Sequence, residues 1–432
     1  MKALLARPDW PFDIRRIPFF YGWVIWLLST LGFLFSIPGQ TMGMAVFTDQ
    51  LIEVLGLSRT QLSLAYLVGT VGSSLFLTRA GSWYDRLGGR VMVALSSLAL
   101  ALMLLFIAST EVLAGAVGGG PSISFVLIML GYFGVRFFGQ GVLTSASRNV
   151  LLLWFEKRRG LVSSARGVFV SLGFSLSPLG LAWLIGVSGW REALGFLALG
   201  CALFAIAAYL LLRDDPSSCG VHVDGHSEAS RVSGTAVPES ATLSQAQRNP
   251  VFWIYSLSLS MHALFASAVT FHIVSIFAES GRSATEAFAY FLPVAVVSTL
   301  VNLLAGWLAD SRPLKPFLVL MLLGFIAGAW GLLHLDADWG YWLLIAGFGT
   351  GGGLWSVTSN LAFIRNFGPL HLGEISGLCT ATMVFASAIG PALFSLGLDA
   401  FGTYAAAEWL CTAALLVLLA AAVLIPHPHE RK

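Results

Sequence analysis

Charged side chains are scarce in this sequence. Only 11% of its 432 residues are charged, whereas about a quarter is usual in a soluble domain. The mean hydropathy is +0.81, and apolar stretches of about twenty residues, the length of a membrane-spanning helix, recur along the whole chain. The shortage of charge therefore excludes a soluble globular protein and predicts an all-α integral membrane protein that crosses a lipid bilayer many times.

Cysteine is scarce as well. The four cysteines lack the spacing of a metal or redox site, so we expect neither a metal nor a cofactor. The formal net charge is only +2, and nothing in the sequence indicates a nucleic acid partner.

The apolar stretches form twelve spans in two groups of six. The first group covers approximately residues 19–46, 60–79, 90–108, 123–147, 160–186 and 191–212. The second group covers approximately residues 250–277, 286–309, 315–334, 341–364, 373–397 and 403–425. Residues 213–249 are rich in serine, glycine and acids and have no apolar period. They predict a flexible cytoplasmic linker between an N-terminal bundle, 1–212, and a C-terminal bundle, 250–432.

The distribution of lysine and arginine predicts the orientation. With both termini inside, 20 of the 24 basic residues lie on the inner side, three (Arg59, Arg191 and Arg282) on the outer side, and Arg136 lies in mid-membrane. Because cytoplasmic loops carry the excess of positive charge, we predict a multi-pass protein of the cell membrane with both termini in the cytoplasm.

The two groups of spans repeat one another. Three residues of the first group recur in the second at a constant offset of 213, namely Gly160, Pro178 and Gly189 as Gly373, Pro391 and Gly402. Arg148-Asn149 likewise recurs as Arg365-Asn366. Two parallel six-helix repeats related about the membrane normal are typical of secondary transporters.

The loop after the second span carries a recognisable motif. It reads Gly81-Ser-Trp-Tyr-Asp85-Arg86-Leu-Gly-Gly89-Arg90, which resembles the G-x-x-x-D-R-x-G-x-[RK] motif of the major facilitator superfamily. A degenerate copy begins at Gly306 in the second half, and the resemblance covers nearly the whole chain. It implies twelve transmembrane helices in two pseudo-symmetric six-helix bundles, the major facilitator fold.

The resemblance also implies a conformational gate on the cytoplasmic side, in which Asp85 and Arg90 form or break ion pairs as the halves move. The gate residues are Gly81, Asp85, Arg86, Gly89, Arg90, Gly306, Asp310 and Arg312. The alternative is that these charges only flank the spans, as cytoplasmic charges do.

Proline and glycine predict hinges inside the spans, because proline removes one hydrogen bond from a helix. The predicted hinge residues are Pro38, Pro178, Gly390 and Pro391. In the fifth span the superfamily's antiporter motif has Gly-Pro, whereas this chain has Ser177-Pro178, so the motif does not support antiport.

Within the superfamily the chain looks most like the oxalate/formate antiporter and monocarboxylate porter branch. The likeness rests on Tyr21-Gly-Trp23, Pro38-Gly-Gln40-Thr41, the stretch from Trp154 to Gly160, and Asn249-Pro-Val-Phe-Trp253. That branch often has an arginine in the eighth span, eight residues before the motif aspartate. Here the position is Asn302, so the charge that binds anions in that branch is missing from the second half.

Arg136 lies near the middle of the fourth span, where a charge is costly by about 2.5–3.5 kcal/mol. Helical spacing places it in one polar stripe with Tyr132, Gln140 and Thr144. No acidic residue lies in the middle of any span; Glu408 is near the outer end of the last one. Arg136 therefore either binds an anion that the protein does not supply, or is a structural arginine bonded to backbone carbonyls and Gln140.

The resemblance places spans one, four, seven and ten around a central cavity. The candidate substrate-binding residues are Arg136, Gln140, Gln40, Thr41, Tyr132, His262, Asn302, Ser356 and Asn360. His262 is either a proton carrier or substrate ligand, because imidazole titrates near neutrality, or a hydrogen-bonded core residue.

These observations predict an alternating-access transporter of a small organic anion, a monocarboxylate, with a coupling proton and a monomeric working unit. The alternative within transport is a neutral or amphipathic substrate, such as a sugar or drug, with Arg136 structural. No nucleophile, base or metal cluster indicates an enzyme, and no soluble output domain indicates a receptor. A glycine-rich stretch at 347–352 resembles a nucleotide fingerprint by letter alone, and inside a span it predicts close helix packing.

Overall fold

The structure is a computed structural model that describes residues 10–224 and 240–426. In these ranges all regular structure is helical. The long helices of the first half are α1 (Gly22–Phe35), α2 (Arg59–Leu87), α3 (Gly89–Ala108), α4 (Pro121–Trp154), α5 (Arg159–Ser188) and α6 (Trp190–Leu211). Those of the second half are α7 (Pro250–Glu279), α8 (Phe291–Ala309), α9 (Lys315–Leu333), α10 (Asp338–Phe367), α11 (Leu372–Phe401) and α12 (Ala405–Leu424).

Each predicted span corresponds to one of these helices. In the described part of the chain ten of the helices, all but α1 and α10, are long and apolar enough to cross a membrane. Helix α1 is short because the chain breaks at Pro38, in a 3₁₀ turn at Ile37–Gly39, and then resumes as Thr41–Ala45 and Thr48–Leu55. The predicted hinge at Pro38 is therefore a break in the helix.

The chain divides into two compact units. The first comprises Met1–Glu156, Val168–Val237 and His371–Ala381, and the second comprises Lys157–Gly167, Pro238–Leu370 and Thr382–Lys432. The units differ from the predicted bundles in two segments. The start of α5, within Lys157–Gly167, belongs to the second unit, and the start of α11, within His371–Ala381, belongs to the first.

Equivalent helices pack in equivalent pairs within the two units. In the first unit α2 packs on α4 and α3 packs on α6. In the second unit α8 packs on α10 and α9 packs on α12, at the same positions in the repeat. The predicted internal repeat is therefore present in the packing of each unit.

The glycines at 347–352 serve close helix packing, as predicted. A Cβ atom on Gly347 of α10 would lie 2.3 Å from the backbone nitrogen of Gly328 in α9. Because no real side chain tolerates such a distance, glycine is what permits α9 and α10 to touch backbone to backbone.

Two prolines lie inside long helices, and in each case a serine hydroxyl donates a hydrogen bond to the carbonyl that the proline leaves without a helical donor. Pro178 leaves the carbonyl of Phe174 without its helical donor, and the Ser177 hydroxyl donates to that oxygen at 2.9 Å. Pro391 leaves the carbonyl of Ser387 in the same state, and the Ser267 hydroxyl donates to it at 2.7 Å from α7. Next to Pro391, a Cβ on Gly390 would lie 2.3 Å from the Leu264 carbonyl, so Gly390 allows α7 and α11 to approach closely.

The predicted linker, 213–249, is only partly described. Residues 225–239 lie outside the described ranges. Arg213 is 1% exposed, and its guanidinium donates to the carbonyls of Leu210 and Leu212. A short helix, Leu243–Arg248, with a capping box at Thr242, precedes α7. At its two described ends the segment is therefore held by backbone carbonyls that bind Arg213 and by the cap at Thr242, and the flexible cytoplasmic linker stays a prediction.

Candidate functional site

Arg136 is 2% exposed and lies in the middle of α4. It begins a stretch of π-helix, Arg136–Leu143, a rare conformation that often marks a functional site. The start of this π-helix lies close to the break after α1. A Cβ on Gly39, in that break, would lie only 2.4 Å from the Val135 carbonyl. The predicted stripe of residues four apart assumed a regular α-helix, so it does not continue unchanged past Arg136.

The Arg136 guanidinium has weak and incomplete partners. One terminal nitrogen, Nη1, lies 3.3 Å from the Gly39 carbonyl and 3.3 Å from the Thr41 hydroxyl, longer than the 2.7–2.9 Å usual for charged hydrogen bonds. Its buried Nε has no acceptor. Within residues 10–224 and 240–426 no carboxylate forms a salt bridge with Arg136.

Tyr66 of α2 completes this cluster, although it is not among the residues predicted from the sequence. The Arg136 guanidinium carbon lies 5.3 Å from the centroid of the Tyr66 ring, in a cation–π contact. The Tyr66 hydroxyl donates to the Thr41 hydroxyl at 2.9 Å, and its ring meets the buried Tyr132 edge to face at 5.2 Å. The only feature of the sequence that could have indicated Tyr66 is that it is a polar aromatic residue in an apolar span. We call Thr41, Tyr66, Tyr132 and Arg136 the arginine cluster.

The two predicted glutamines do not contact the guanidinium. The Gln40 amide nitrogen donates to the Ser36 hydroxyl at 3.1 Å, across the break after α1. The Gln140 side-chain oxygen is buried and has no donor. Arg136 therefore contacts a backbone carbonyl, that of Gly39, as the structural alternative expects, whereas no hydrogen bond from it to Gln140 is seen among the described residues.

His262 of α7 lies in the second unit between two aromatic rings. Its imidazole centroid is 5.1 Å from that of Phe325 and 4.7 Å from that of Trp355. The Trp355 indole donates to the Leu259 carbonyl at 3.2 Å, which fixes that ring. Among the described residues no hydrogen bond to the imidazole is seen, so the interpretation of His262 as a hydrogen-bonded core residue is not supported.

The other predicted polar residues of the second unit form helix contacts. The Asn302 amide donates to the Ser164 carbonyl at 3.3 Å, and its oxygen is buried without a donor. The Asn360 amide donates to the Ser356 carbonyl at 2.6 Å and accepts from Arg166 at 2.7 Å. Arg166 is 3% exposed; the sequence analysis counted it only as a cytoplasmic charge, because it lies within two turns of the start of α5.

The motif aspartates cap helix N-termini in the same manner. In the first unit the Asp85 carboxylate accepts from the backbone nitrogens of Gly373 at 2.8 Å and Glu374 at 2.9 Å. In the second unit Asp310 accepts from Gly160 at 2.6 Å and Leu161 at 3.1 Å. Each aspartate therefore offsets the positive end of a helix dipole, that of α11 or of α5.

The motif glycines make these caps possible. A Cβ on Gly81 would lie 2.1 Å from the Gly373 carbonyl, and one on Gly306 would lie 2.8 Å from the Gly160 carbonyl. A Cβ on Gly89 would meet Val150 at 3.0 Å. The predicted close approach of two helices at the motif is thus present in both units.

The motif basic residues bind elsewhere. Arg90 donates to the carbonyls of Tyr209 and Trp10, and Lys315, its counterpart, donates to those of Val423 and Ile425. Both cations satisfy carbonyls at or near the end of the last helix in their half of the chain. Asp85 and Arg90 therefore contact different elements in this structure, and the two remaining cations, Arg86 and Arg312, are exposed.

The comparisons agree with this fold. The family model described as Major Facilitator Superfamily matches residues 28–391. The proton:xylose symporter XylE, solved with 6-bromo-6-deoxy-D-glucose, is 16% identical with a TM-score of 0.69, over 94% of this chain and 96% of that one. The transporter FucP in its outward conformation is 18% identical with a TM-score of 0.64, over 93% and 99%. No match is found among curated proteins.

A human protein also shares the fold. The organic anion transporter MFSD10 is 15% identical with a TM-score of 0.62, over 93% of this chain and 99% of that one. At these identities the likeness shows the fold and not the substrate.

The chain belongs to the major facilitator superfamily. It is a multi-pass membrane protein and a transporter of a small molecule, not an enzyme. The finer likeness to the oxalate/formate and monocarboxylate branch stays a prediction.

Proposed function

We propose that this protein moves a small organic anion, a monocarboxylate, across the cell membrane by alternating access, coupled to a proton. The observation that carries the proposal is the state of Arg136. This guanidinium is buried, has no carboxylate partner among the described residues, and keeps one donor without an acceptor. A carboxylate substrate supplies both the countercharge and the missing acceptor.

The rest of the arginine cluster fits this role. Thr41 is exposed beside the guanidinium, so its hydroxyl is available to a second carboxylate oxygen. The Tyr66 ring covers one side of the cation and holds the guanidinium in position for the anion. His262, without a hydrogen bond among the described residues, is the group we propose for proton exchange.

The two aspartate caps provide the conformational part of the proposal. Asp85 and Asp310 each bind two backbone N–H groups of a helix from the other half of the sequence. We propose that these caps hold one transport state and are released in the other, with both termini cytoplasmic.

The test is thermal unfolding of the purified protein in detergent with short carboxylates, sugars and hydrophobic cations. A ligand that binds the folded state raises the melting temperature by mass action. We expect carboxylates to stabilise the parent protein and not Arg136→Gln. Arg136→Lys is the matched control, because it keeps the charge and loses the two-pronged geometry, and it should retain a weaker response.

The alternative substrate class gives a different result. If a sugar or a cation stabilises the parent protein and Arg136→Gln equally, the substrate is neutral or amphipathic and Arg136 is structural. Its role would then be limited to its contacts with Gly39, Thr41 and the Tyr66 ring.

A further inference from the structure

Three metal-binding side chains meet at the start of α11 in the first unit. They are Asp85, from the end of α2, His371, and Glu374, from the first turn of α11. One ligand atom from each lies within 4.8 Å of the other two, and all three residues are partly exposed. Among the described residues this is the one such group of three or more histidine, cysteine or acidic side chains.

The capping role of Asp85 does not account for the other two residues. The same cap exists in the second unit, where Asp310 binds the backbone nitrogens of Gly160 and Leu161. At the offset of 213, His371 corresponds to Arg158 and Glu374 to Leu161. The cap therefore forms without an imidazole or a second carboxylate. Only the cap formed by Asp85 has a histidine and a glutamate beside it.

Asp85 retains the capacity to bind a cation while it caps the helix. A carboxylate has about four lone-pair positions, and the two backbone donors occupy one on each oxygen. A divalent cation near a helix N-terminus is opposed by the helix dipole. Here two carboxylates offset that repulsion, so the site is neutral with the metal bound.

We propose that Asp85, His371 and Glu374 bind a divalent transition metal ion of the Zn²⁺ type. One imidazole nitrogen and two carboxylate oxygens are three of the ligands that zinc accepts, and a water completes the tetrahedron. Bonds of 2.0–2.1 Å place the ligand atoms about 3.3 Å apart, so the partly exposed side chains, whose ligand atoms lie within 4.8 Å of one another, need to move closer by at most about 1.5 Å. The imidazole favours zinc over Mg²⁺ or Ca²⁺, which prefer oxygen.

A metal ion at this position would connect the end of α2 to the start of α11. Asp85 lies near the end of α2, and His371 directly precedes α11, so a bound ion would add a link between α2 and α11 to the cap and the glycine packing already present. Zinc would therefore stabilise this conformation and slow transport, independently of the substrate and of the proposed anion site.

The test uses ZnCl₂ with the full-length protein carrying no polyhistidine tag. Zinc binding is measured by titration calorimetry and by melting temperature, with MgCl₂ in parallel. We expect His371→Ala and Glu374→Gln each to weaken zinc binding about 10- to 100-fold, while the backbone cap of Asp85 stays intact. His334→Ala, a histidine with two aromatic neighbours and no place in the cluster, is the control and should bind zinc like the parent.

Two outcomes would overturn the proposal. Equal zinc affinity in the parent protein and His371→Ala would mean adventitious binding elsewhere. Equal affinity of the parent protein for zinc and magnesium, unaffected by His371→Ala, would mean that the carboxylates bind cations without selecting a metal. Neither outcome bears on the anion proposal, which depends on Arg136.

Discussion

Tyr66 is the residue that best illustrates how the arginine cluster is stabilised before a substrate arrives. Its ring contributes a cation–π contact at 5.3 Å from the Arg136 guanidinium, and its hydroxyl holds Thr41 at 2.9 Å. The two contributions come from different atoms, so they are separable by substitution.

We expect Tyr66→Phe to weaken binding of the stabilising carboxylate about fivefold, because it removes one hydrogen bond worth about 1 kcal/mol. Tyr66→Leu should weaken it further, to about 30-fold or more, because it also removes a cation–π contact worth up to about 2 kcal/mol. Ligand-dependent melting curves of both variants measure the difference. An identical loss in the two variants would show that the ring does not act on Arg136.

At the scale of residues the sequence predicted that Arg136 lies in the middle of a span, where it is buried, because a lone charge in an apolar stretch is conspicuous. It did not predict Tyr66, since an aromatic residue in a membrane helix is usually packing. It also missed Arg166, whose bond to Asn360 joins positions 194 residues apart that no local pattern relates.

Helices α5 and α11 show how an element keeps a proline without losing a carbonyl partner. One repair comes from the residue before the proline, Ser177, and the other from a neighbouring helix, through Ser267. The hydrogen bond of Ser177 lies within α5, whereas that of Ser267 also connects α7 to α11.

We expect Ser267→Ala to lower the free energy of unfolding by about 1–3 kcal/mol, since the partly buried Ser387 carbonyl loses its donor. Ser177→Ala should have a smaller effect, because its bond lies within one turn of α5 and joins no second helix. Thermal unfolding in detergent measures both. A larger loss for Ser177→Ala would show that the link between α11 and α7 through Ser267 adds no stability.

At the scale of elements hydropathy predicted a span for each of the twelve helices, although α1 is shortened by the break at Pro38 and α10 is less apolar than the other long helices. Hydropathy did not predict the π-helix at Arg136–Leu143. This stretch packs against Gly39, and such a contact between distant parts of the chain has no local sequence pattern. The contacts of Arg213 with backbone carbonyls were not predicted for a similar reason, because composition does not encode them.

For the whole molecule the informative feature is the pair of aspartate caps. The geometry of Asp85 with Gly373 repeats in that of Asp310 with Gly160. The sequence predicted the motif and its copy, but it gave no sign that the partners of Asp85 are backbone N–H groups of a helix 288 residues further along the chain.

We expect Asp85→Ala and Asp310→Ala each to shift the balance between transport states by about fivefold, since an N-cap is worth about 1 kcal/mol. Labelling of single cysteines placed beside Gly373 and beside Gly160 measures the shift as a change in rate. Arg86→Ala, at an exposed position of the same motif, is the control and should leave both rates unchanged. If Arg86→Ala has the same effect as Asp85→Ala, surface charge and not the cap controls the equilibrium.

The cap at Asp85 also has a consequence for the order of biosynthesis. Its partner Gly373 follows 288 residues later in the chain. At about 5–20 residues per second a ribosome needs on the order of 15–60 s to reach it. During that time the carboxylate must remain hydrated at the membrane surface, so the first compact unit is completed only when the eleventh helix emerges.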